Sequence, residues 1–370
     1  MKSIAIFSGY YFPHVGGIET YIDRLAHRLV QMGYHPILIN CNYMNLPDVE
    51  EKEGMTILRL PVYSIFKNRY PIPKKNKRFK QLMKKLDTYE IVSVIVNTRF
   101  HLTSHIGAKY AKKSGIPVYL IEHGSKYVTL DHKFIDFFAN RYEDFLTWRI
   151  KPKIKGFYGV SQACSDWLQQ FHIQAVGTWY NSINIDQEVP TKKEHDGVRY
   201  FFAGRLIRQK GVDNILQAFM KLRKEKEDIY LTIAGDGPLL EKYKQEYPDD
   251  HIQFVGRISN EKVLETFAES DVFLYPPLWP EGLPSSILEA GMMECMTIGT
   301  DQGGIKEIIE DGQNGLIVEG TSEALYQAMK EMYDDPAYRE TLARNLRKTI
   351  ETKFSWQNTA KKILKDMGVK

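Results

Sequence analysis

Short apolar runs alternate along this chain with segments whose apolar residues recur at helical spacing, and no other feature constrains the fold as strongly. The alternation begins with the apolar run 3–7 and the helical pattern 17–32, and it starts again at the apolar run 198–203. Strands that alternate with helices predict parallel sheets covered by helices. The restart predicts an α/β chain of two Rossmann-like domains.

The composition of the chain changes just before the second series of strands begins. Residues 181–197 are polar, contain proline and glycine, and show no sustained periodicity, which is typical of a linker. We therefore expect an N-terminal domain over residues 1–185 and a C-terminal domain over residues 186–353. The length of 370 residues also fits two ordinary domains.

Glu281 and Glu289 bracket the segment EGLPSSILE, which follows an apolar strand and places Pro284 near the first position of a predicted helix. The early amides of such a helix, here those of Ser286 and Ile287, have no partner within it and favour an anion such as a diphosphate. Two carboxylates would repel phosphate but accept hydrogen bonds from sugar hydroxyls. A sugar linked through a diphosphate meets both conditions, although either glutamate could be only a helix-dipole partner or a solvated residue.

A second pattern suited to an anion follows the strand predicted at 198–203. Gly204 is followed by Arg205 and Lys210, two cations five residues apart, before the next helix. An arginine can bind two phosphate oxygens and a lysine supplies a compact charge, so the pair suits a diphosphate; a solvated basic turn is the alternative. The spacing is not that of a Walker loop.

Two features of the N-terminal half lie at the ends of predicted strands. Gly16 and Gly17 precede the first helix, where they either let the backbone approach a ligand or form a simple tight turn. Their spacing does not match a GxGxxG fingerprint, which argues against a nicotinamide dehydrogenase. His123 follows the strand predicted at 117–122, at the edge where open α/β sheets bind ligands, although a lone histidine is more often structural.

The segment EGLPSSILEA, followed by a strand and the segment DQGGIKE at 301–307, resembles the retaining glycosyltransferases of family 4, which have the GT-B fold. The resemblance extends over almost the whole chain, and it implies that the two Rossmann-like domains face each other across a cleft. It implies an enzyme of the hexosyltransferase type, and it implies that the final segment, 354–370, crosses back to complete the first domain.

The resemblance also implies roles for individual residues. The residues implied to act on the reacting sugar diphosphate are His123, Arg205, Lys210 and Glu281. The residues implied to bind the donor are Gly16, Gly17, Arg257, Ile258, Gly282, Leu283, Pro284, Ser285, Ser286, Ile287 and Glu289. Within these sets, Glu281 would hold the hydroxyls of the donor sugar, Glu289 the ribose, and Arg257 with Ile258 the nucleotide base.

The implied reaction transfers a sugar from a nucleoside-diphosphate sugar with retention at the anomeric carbon. We expect a UDP-sugar rather than a GDP-sugar, and a glycan or lipid-linked acceptor in surface polysaccharide or glycolipid synthesis. Three alternatives stay open: a sugar-nucleotide epimerase on the same fold, a soluble small-molecule acceptor, and a protein that only binds nucleotide.

The sequence contains neither Asp-x-Asp nor a His/Cys cluster, so we expect no metal and no cofactor besides the donor substrate.

The charge of the chain is unevenly divided, because basic residues exceed acidic ones in the N-terminal half and the reverse holds in the C-terminal half. Residues 67–85 hold nine basic residues and no acidic one. Such a block commonly binds an anionic surface, although its apolar stripe can face the core while the lysines are solvated. We predict that this basic patch docks on an anionic membrane face. Its members are Lys74, Lys75, Lys77, Arg78, Lys80, Lys84 and Lys85.

The sequence also bears on where the protein works. Cys41, Cys164 and Cys295 show no metal-ligand or CxxC spacing, which fits a reducing cytoplasm. No apolar run approaches the ~20 residues of a membrane span, and the N-terminus does not read as a signal peptide. We therefore expect a cytoplasmic protein, peripheral on the inner membrane face, whose partners are a nucleotide sugar and an acceptor rather than nucleic acid.

Overall fold

A computed structural model of the chain describes residues 1–14, 16–63, 70–127, 133–186 and 190–369. The chain divides into two compact units: unit 1 is Met1–Asn181 with Trp356–Lys370, and unit 2 is Ser182–Ser355. These boundaries differ by a few residues from the sequence-based ones at 185/186 and 353/354. The Ile183 N–H donates to the Phe354 carbonyl over 2.8 Å, and Ile183 forms a β-bridge with Ser355. The two ends of unit 2 are therefore bonded to each other.

Within the described residues, unit 1 contains one sheet of eight strands in the order β3-β4-β2-β1-β5-β6-β7-β8. The strands are β1 (Ser3–Phe7), β2 (His35–Asn42), β3 (Val49–Lys52), β4 (Met55–Pro61), β5 (Ile91–Asn97), β6 (Val118–Glu122), β7 (Gly156–Gly159) and β8 (Gly177–Thr178). Neighbouring strands are parallel, except that β3 and β4 form an antiparallel pair at one edge. The central strands are almost wholly buried, as expected for a parallel sheet with helices on both faces.

Alternate residues of β1 contact different helical layers of unit 1. Ile4 and Ile6 join the core beneath α1 (Gly17–Gln31) and α12 (Trp356–Met367). Ala5 and Phe7 join the opposite core. The helices that contribute to that second core are α2 (Lys77–Lys85), α3 (Leu102–Ser114) and the carboxyl end of α4 (Lys133–Ile150). The short helix α5 (Gln162–Trp167) begins at Ser161, whose side chain accepts the N–H of Cys164.

Within the described residues, unit 2 contains a parallel sheet of six strands in the order β11-β10-β9-β12-β13-β14. The strands are β9 (Val198–Ala203), β10 (Ile229–Ala234), β11 (Ile252–Gly256), β12 (Val272–Tyr275), β13 (Met296–Thr300) and β14 (Leu316–Val318). The helices are α6 (Val212–Arg223), α7 (Leu240–Glu246), α8 (Asn260–Ala268), α9 (Ser285–Met292), α10 (Ser322–Asp334) and α11 (Pro336–Lys353).

The strand order of unit 2 reverses at β9. The chain first builds outward from β9 to β10 and β11, and then returns to place β12 on the other side of β9. The carboxyl ends of β9 and β12 therefore adjoin at a topological switch point, which is where open α/β sheets bind their ligands. The loops that leave these two strands carry Arg205, Lys210 and Glu281.

Candidate functional site

The loops that follow β9, β10, β12 and β13 are joined at the carboxyl edge of the unit 2 sheet. Three backbone hydrogen bonds make the connections: Leu206 N–H to Asp236 O at 2.9 Å, Leu278 N–H to Gln209 O at 2.8 Å, and Gly304 N–H to Gly282 O at 2.9 Å. Loops from four strands thus form one framework, so the side chains that they carry are held in a fixed relation to one another.

Lys210 and Glu281 meet in this framework, at the switch point between β9 and β12. The Nζ of Lys210 donates to Oε1 of Glu281 over 2.8 Å and to the hydroxyl of Tyr275 over 3.3 Å. The Lys210 and Glu281 side chains are 16% and 27% exposed, so solvent reaches the pair only partly. Burial by itself lowers the pKa of Lys210, but Tyr275 and Glu281 outweigh it and raise that pKa, so the ammonium stays charged at neutral pH.

Gly303 fixes the backbone position of Glu281. Its φ is +61°, and a Cβ at this position would lie 1.9 Å from the carbonyl oxygen of Glu281. The next amide, that of Gly304, also donates to the Glu281 carbonyl over 3.2 Å. Because only glycine allows both this conformation and this close approach, the DQGG segment determines where Glu281 lies.

Helix α9 begins directly after the Glu281 loop, with Pro284 as its N-cap. As the first residues of the helix, Ser285 and Ser286 carry amides that have no partner within it. The prediction that the Ile287 amide is also available was wrong, since this N–H donates to the Pro284 carbonyl over 3.3 Å and closes the first turn. The side chains of Leu283 and Ile287 are buried in the core, so neither side chain is available to a ligand.

Four other predicted residues of unit 2 lie at the same sheet edge. Glu289 lies on α9 four residues after Ser285, on the same side of the helix, and is buried. Arg205 follows β9 and is exposed, unlike Lys210. Arg257 is exposed and Ile258 half-buried, directly after β11.

In unit 1, His123 is held by a hydrogen-bonded chain at the carboxyl edge of the sheet. Nδ2 of Asn97 donates to the Phe7 carbonyl over 3.0 Å, so its Oδ1 is an acceptor and Nε2 of His123, at 2.9 Å, must donate to it. Burial, with a smaller effect from His101, lowers the pKa of His123 to about 3. The ring is therefore neutral at pH 7, and its Nδ1 can accept a hydrogen bond from a hydroxyl.

Sequence analysis missed the buried ion triad that supports His123. Arg99 donates to Glu122 over 2.9 Å and to Glu143 of α4 over 2.8 Å, and all three side chains are buried. The other oxygen of Glu122 accepts the amides of His123, at 3.1 Å, and Gly124, at 3.2 Å. No local pattern could reveal the triad, because Arg99 and Glu143 are separated by 44 residues.

Gly16 and Gly17, which precede α1, differ in their surroundings. A Cβ on Gly16 would lie 2.5 Å from Oε2 of Glu19, whereas a Cβ on Gly17 would meet nothing within 4 Å. Glu19 is buried, its burial raises its pKa, and its carboxylate lies 3.4 Å from Nδ1 of His14. Gly16 therefore makes room for a carboxylate that the sequence did not single out, and Gly17 borders open space.

Aromatic rings gather beside this turn, and the sequence did not predict them as a group. Tyr10 stacks on His14, with ring centroids 4.6 Å apart, and meets the edges of Tyr43 at 5.3 Å and His101 at 6.4 Å. Tyr10, Tyr43 and His101 closely follow β1, β2 and β5, so the rings share one edge of the sheet. We call these four residues the Tyr10 cluster.

The basic patch belongs to α2 and the residues before it. Lys74, Lys75, Lys77, Arg78, Lys80 and Lys84 are exposed and Lys85 is half-buried, whereas residues 67–69 lie outside the described residues. Leu82 and Leu86 are buried, so the apolar stripe of this segment faces the core. Arg78 is paired with Asp48, which compensates its charge.

Within the described residues, no group of three or more His, Cys, Asp and Glu side chains is arranged to hold a metal ion. Among the same residues, no helix is both long and apolar enough to cross a membrane.

Two family models match this chain. The model described as "Glycosyltransferase Family 4" matches residues 15–187, and the model described as "Glycosyl transferases group 1" matches residues 184–349. Together the two matches cover most of both units.

Curated relatives match nearly the whole chain. An uncharacterized glycosyltransferase of Methanocaldococcus jannaschii is 27% identical, with 98% of this chain and 97% of the relative covered. The phosphatidylinositol N-acetylglucosaminyltransferase GPI3 subunit of Saccharomyces cerevisiae is 21% identical, with 98% of this chain and 82% of the relative covered.

Solved structures share the fold. A sucrose-phosphate synthase from Thermosynechococcus elongatus has a TM-score of 0.80 at 19% identity, with 99% of this chain and 98% of that one covered. The Anabaena protein HepE, in complex with UDP and glucose, has a TM-score of 0.71 at 16% identity, with 99% of each chain covered. The α/β class and the GT-B fold predicted from the sequence are confirmed.

We predict that Gly303→Ala disturbs the site more than Gly312→Ala does. Both glycines have left-handed φ angles, +61° and +69°, but a Cβ on Gly312 would meet only the Tyr338 hydroxyl, at 3.6 Å. The shared conformational cost is about 1 kcal/mol of folding stability. The additional clash with the Glu281 carbonyl should lower the free energy of unfolding by roughly 1–3 kcal/mol more in Gly303→Ala, measured by urea denaturation. Equal free energies of unfolding in the two variants would show that the close approach of Gly303 does not hold the Glu281 backbone.

Proposed function

Because the chain belongs to glycosyltransferase family 4 and has the GT-B fold, we propose that this glycosyltransferase moves a sugar from a nucleoside-diphosphate sugar to an acceptor with retention at the anomeric carbon. The observation that carries the proposal is the Lys210–Glu281 pair beside the start of α9. A cation, helix amides and carboxylates placed together match the phosphate and hydroxyl groups of such a donor. We expect UDP as the nucleotide, and the UDP complex of the Anabaena protein with the same fold supports this choice.

The Lys210–Glu281 pair suggests how the donor is bound. A diphosphate beside Lys210 would compete with Glu281 for the ammonium, because its larger negative charge attracts the cation more strongly. The oxygens of Glu281 would then be released to accept hydrogen bonds from the donor sugar. Arg205, exposed on the same loop as Lys210, would add a bidentate contact to the phosphates.

The same cations would act in the chemical step. When the bond between the anomeric carbon and the diphosphate breaks, negative charge grows on the leaving diphosphate, and Arg205, Lys210 and the amides of Ser285 and Ser286 would stabilise it. The leaving diphosphate would help to take the proton of the acceptor hydroxyl on the same face of the sugar. This arrangement gives retention without a covalent sugar–enzyme intermediate.

The remaining predicted residues take binding roles in this proposal. Glu289 would accept hydrogen bonds from the ribose hydroxyls, and the backbone of Arg257 and Ile258 would contact the base. His123 would accept a hydrogen bond from a sugar hydroxyl through Nδ1, because its Nε2 already donates to Asn97. The side of Gly17 that borders open space would let the backbone approach the substrates.

We propose that the acceptor is a glycan or a lipid-linked sugar used in surface polysaccharide or glycolipid synthesis. The flat rings of the Tyr10 cluster suit packing against an acceptor sugar. The yeast relative is named for action on phosphatidylinositol, which supports a lipid-linked acceptor. The basic patch on α2 would hold the protein, as a peripheral cytoplasmic enzyme, on the anionic inner face of the membrane.

We predict that two glutamate substitutions separate nucleotide binding from sugar transfer. Glu281→Gln should tighten UDP binding, since Lys210 loses its competing carboxylate, but should slow sugar transfer by about tenfold or more. Glu289→Gln should weaken UDP binding by the ~1.5–3 kcal/mol of a hydrogen bond to a charged group. UDP titration and product analysis with a UDP-sugar measure the two effects.

The matched control is Glu323→Gln, which breaks the exposed Lys221–Glu323 pair on the same unit and should change neither quantity. Equal losses of UDP affinity in the Glu281 and Glu289 variants would contradict the division of roles. Conversion of the UDP-sugar without any acceptor would instead point to an epimerase.

We also propose that the diphosphate is handled without a metal ion, since Arg205 and Lys210 supply the positive charge. Transfer rates should therefore be unchanged by EDTA, with the same rates in EDTA that has been saturated by magnesium as the control. A rate that falls in EDTA and returns with magnesium would overturn this part of the proposal.

A further inference from the structure

Helix α4 exposes large aromatic side chains along its length, which is unusual for a surface helix. Trp148 is 71% exposed and Phe134 is 69% exposed. The other large apolar side chains exposed on this helix are Ile135, Phe137, Phe138, Tyr142 and Phe145. Exposed apolar side chains that share one face of a helix mark a surface that contacts something apolar.

The opposite side of α4 is fixed in the protein, so the aromatic face cannot turn inward. Glu143, Leu146 and Ile150 are buried, and Glu143 is bound to Arg99. Phe134, Phe138, Phe145 and Trp148 follow one another at spacings of four, seven and three residues, which places them on a single stripe of the helix. The helix therefore has a buried face that carries Glu143 of the ion triad, and an exposed face on which aromatic side chains lie.

A basic pocket lies at the carboxyl end of α4, between α4, α3 and the chain before α2. Its volume is about 210 Å³, and none of its lining residues is acidic. Cationic groups reach it from three parts of the chain: Lys75, Lys109, Arg149 and Lys153. Burial, together with repulsion from Arg149 and Lys112, lowers the pKa of Lys153, so an anion here would relieve an unfavourable charge arrangement.

We propose that the aromatic face of α4 and this basic pocket form one docking surface for an anionic lipid bilayer. The aromatic side chains enter the interfacial region of the leaflet, and the pocket takes the phosphate of a lipid headgroup. Lys75 belongs both to the pocket and to the basic patch, so the two charged regions are continuous. The inference deepens the proposed function, because it rests on an acceptor that is lipid-linked.

The charges around α4 favour a lipid surface over a protein partner. The pocket and the neighbouring α2 supply cations, whereas the acidic Asp144 of α4 is paired with Arg141 at 2.7 Å. Aromatic side chains beside basic ones match the apolar interior and the anionic headgroups of a leaflet.

Vesicle co-sedimentation of the full chain tests the proposal. We expect the protein to pellet with vesicles of equal parts phosphatidylglycerol and phosphatidylcholine, but not with phosphatidylcholine alone. The aromatic variant, Phe138→Ser with Phe145→Ser and Trp148→Ser, and the pocket variant, Lys109→Gln with Arg149→Gln, should each lower the partition coefficient by about tenfold or more. The control, Tyr230→Ser with Val255→Ser, removes two exposed apolar side chains from unit 2 and should have no effect.

A second readout separates this inference from the proposed function. All variants should keep the thermal stabilisation that UDP gives the parent protein, because none of the changed residues belongs to the donor site. If UDP does not raise the melting temperature of the parent protein, the proposed function is contradicted. If the aromatic or the pocket variant binds vesicles as strongly as the parent does, the docking surface is overturned. Concentration-dependent dimerisation that the aromatic variant abolishes would also overturn it, by assigning the face to a second copy of the chain.

Discussion

The ion pair between Lys210 and Glu281 is the interaction on which the rest of unit 2 converges. It exists because β12 returns beside β9, which brings together two loops separated by about seventy residues of chain. Gly303, in the loop after β13, then holds the backbone of Glu281 in place. Helix α9 begins four residues after Glu281, at Ser285. The sheet topology thus sets the position of the cation, of the carboxylate and of the helix amides at once, and a diphosphate sugar needs all three.

A buried ion triad has the corresponding role in unit 1. Arg99 joins Glu122, which holds the amide of His123, to Glu143, which fixes the inner face of α4. The same interaction therefore orients a proposed substrate-binding histidine and keeps the aromatic face of α4 toward the outside. Removing Arg99 would leave two buried carboxylates uncompensated, which is costly, so the two features are linked through their stability.

Much of this architecture could be predicted from the sequence, because its signals are local. The bounds of β1 and β9 agree with the apolar runs 3–7 and 198–203, and α1 ends one residue before the helical pattern 17–32 does. The β3–β4 hairpin was missed since the segment VEEK is charged and reads as a loop. The segment of α4 does not itself show whether its aromatic residues face the core, because that depends on Arg99, far away in sequence. The Ile287 amide was assigned wrongly because the proline before the helix offers its own carbonyl as a partner.

A double-mutant cycle on UDP binding tests the central claim that Lys210 and Glu281 act as one unit at the diphosphate. Calorimetric titration of UDP into the parent protein, Lys210→Met, Glu281→Gln and the double variant gives the coupling free energy directly. If a diphosphate displaces Glu281 from Lys210, Glu281→Gln should alter UDP affinity in the parent protein but hardly at all once Lys210 is methionine. Strictly additive effects of the two substitutions on the binding free energy would contradict the account.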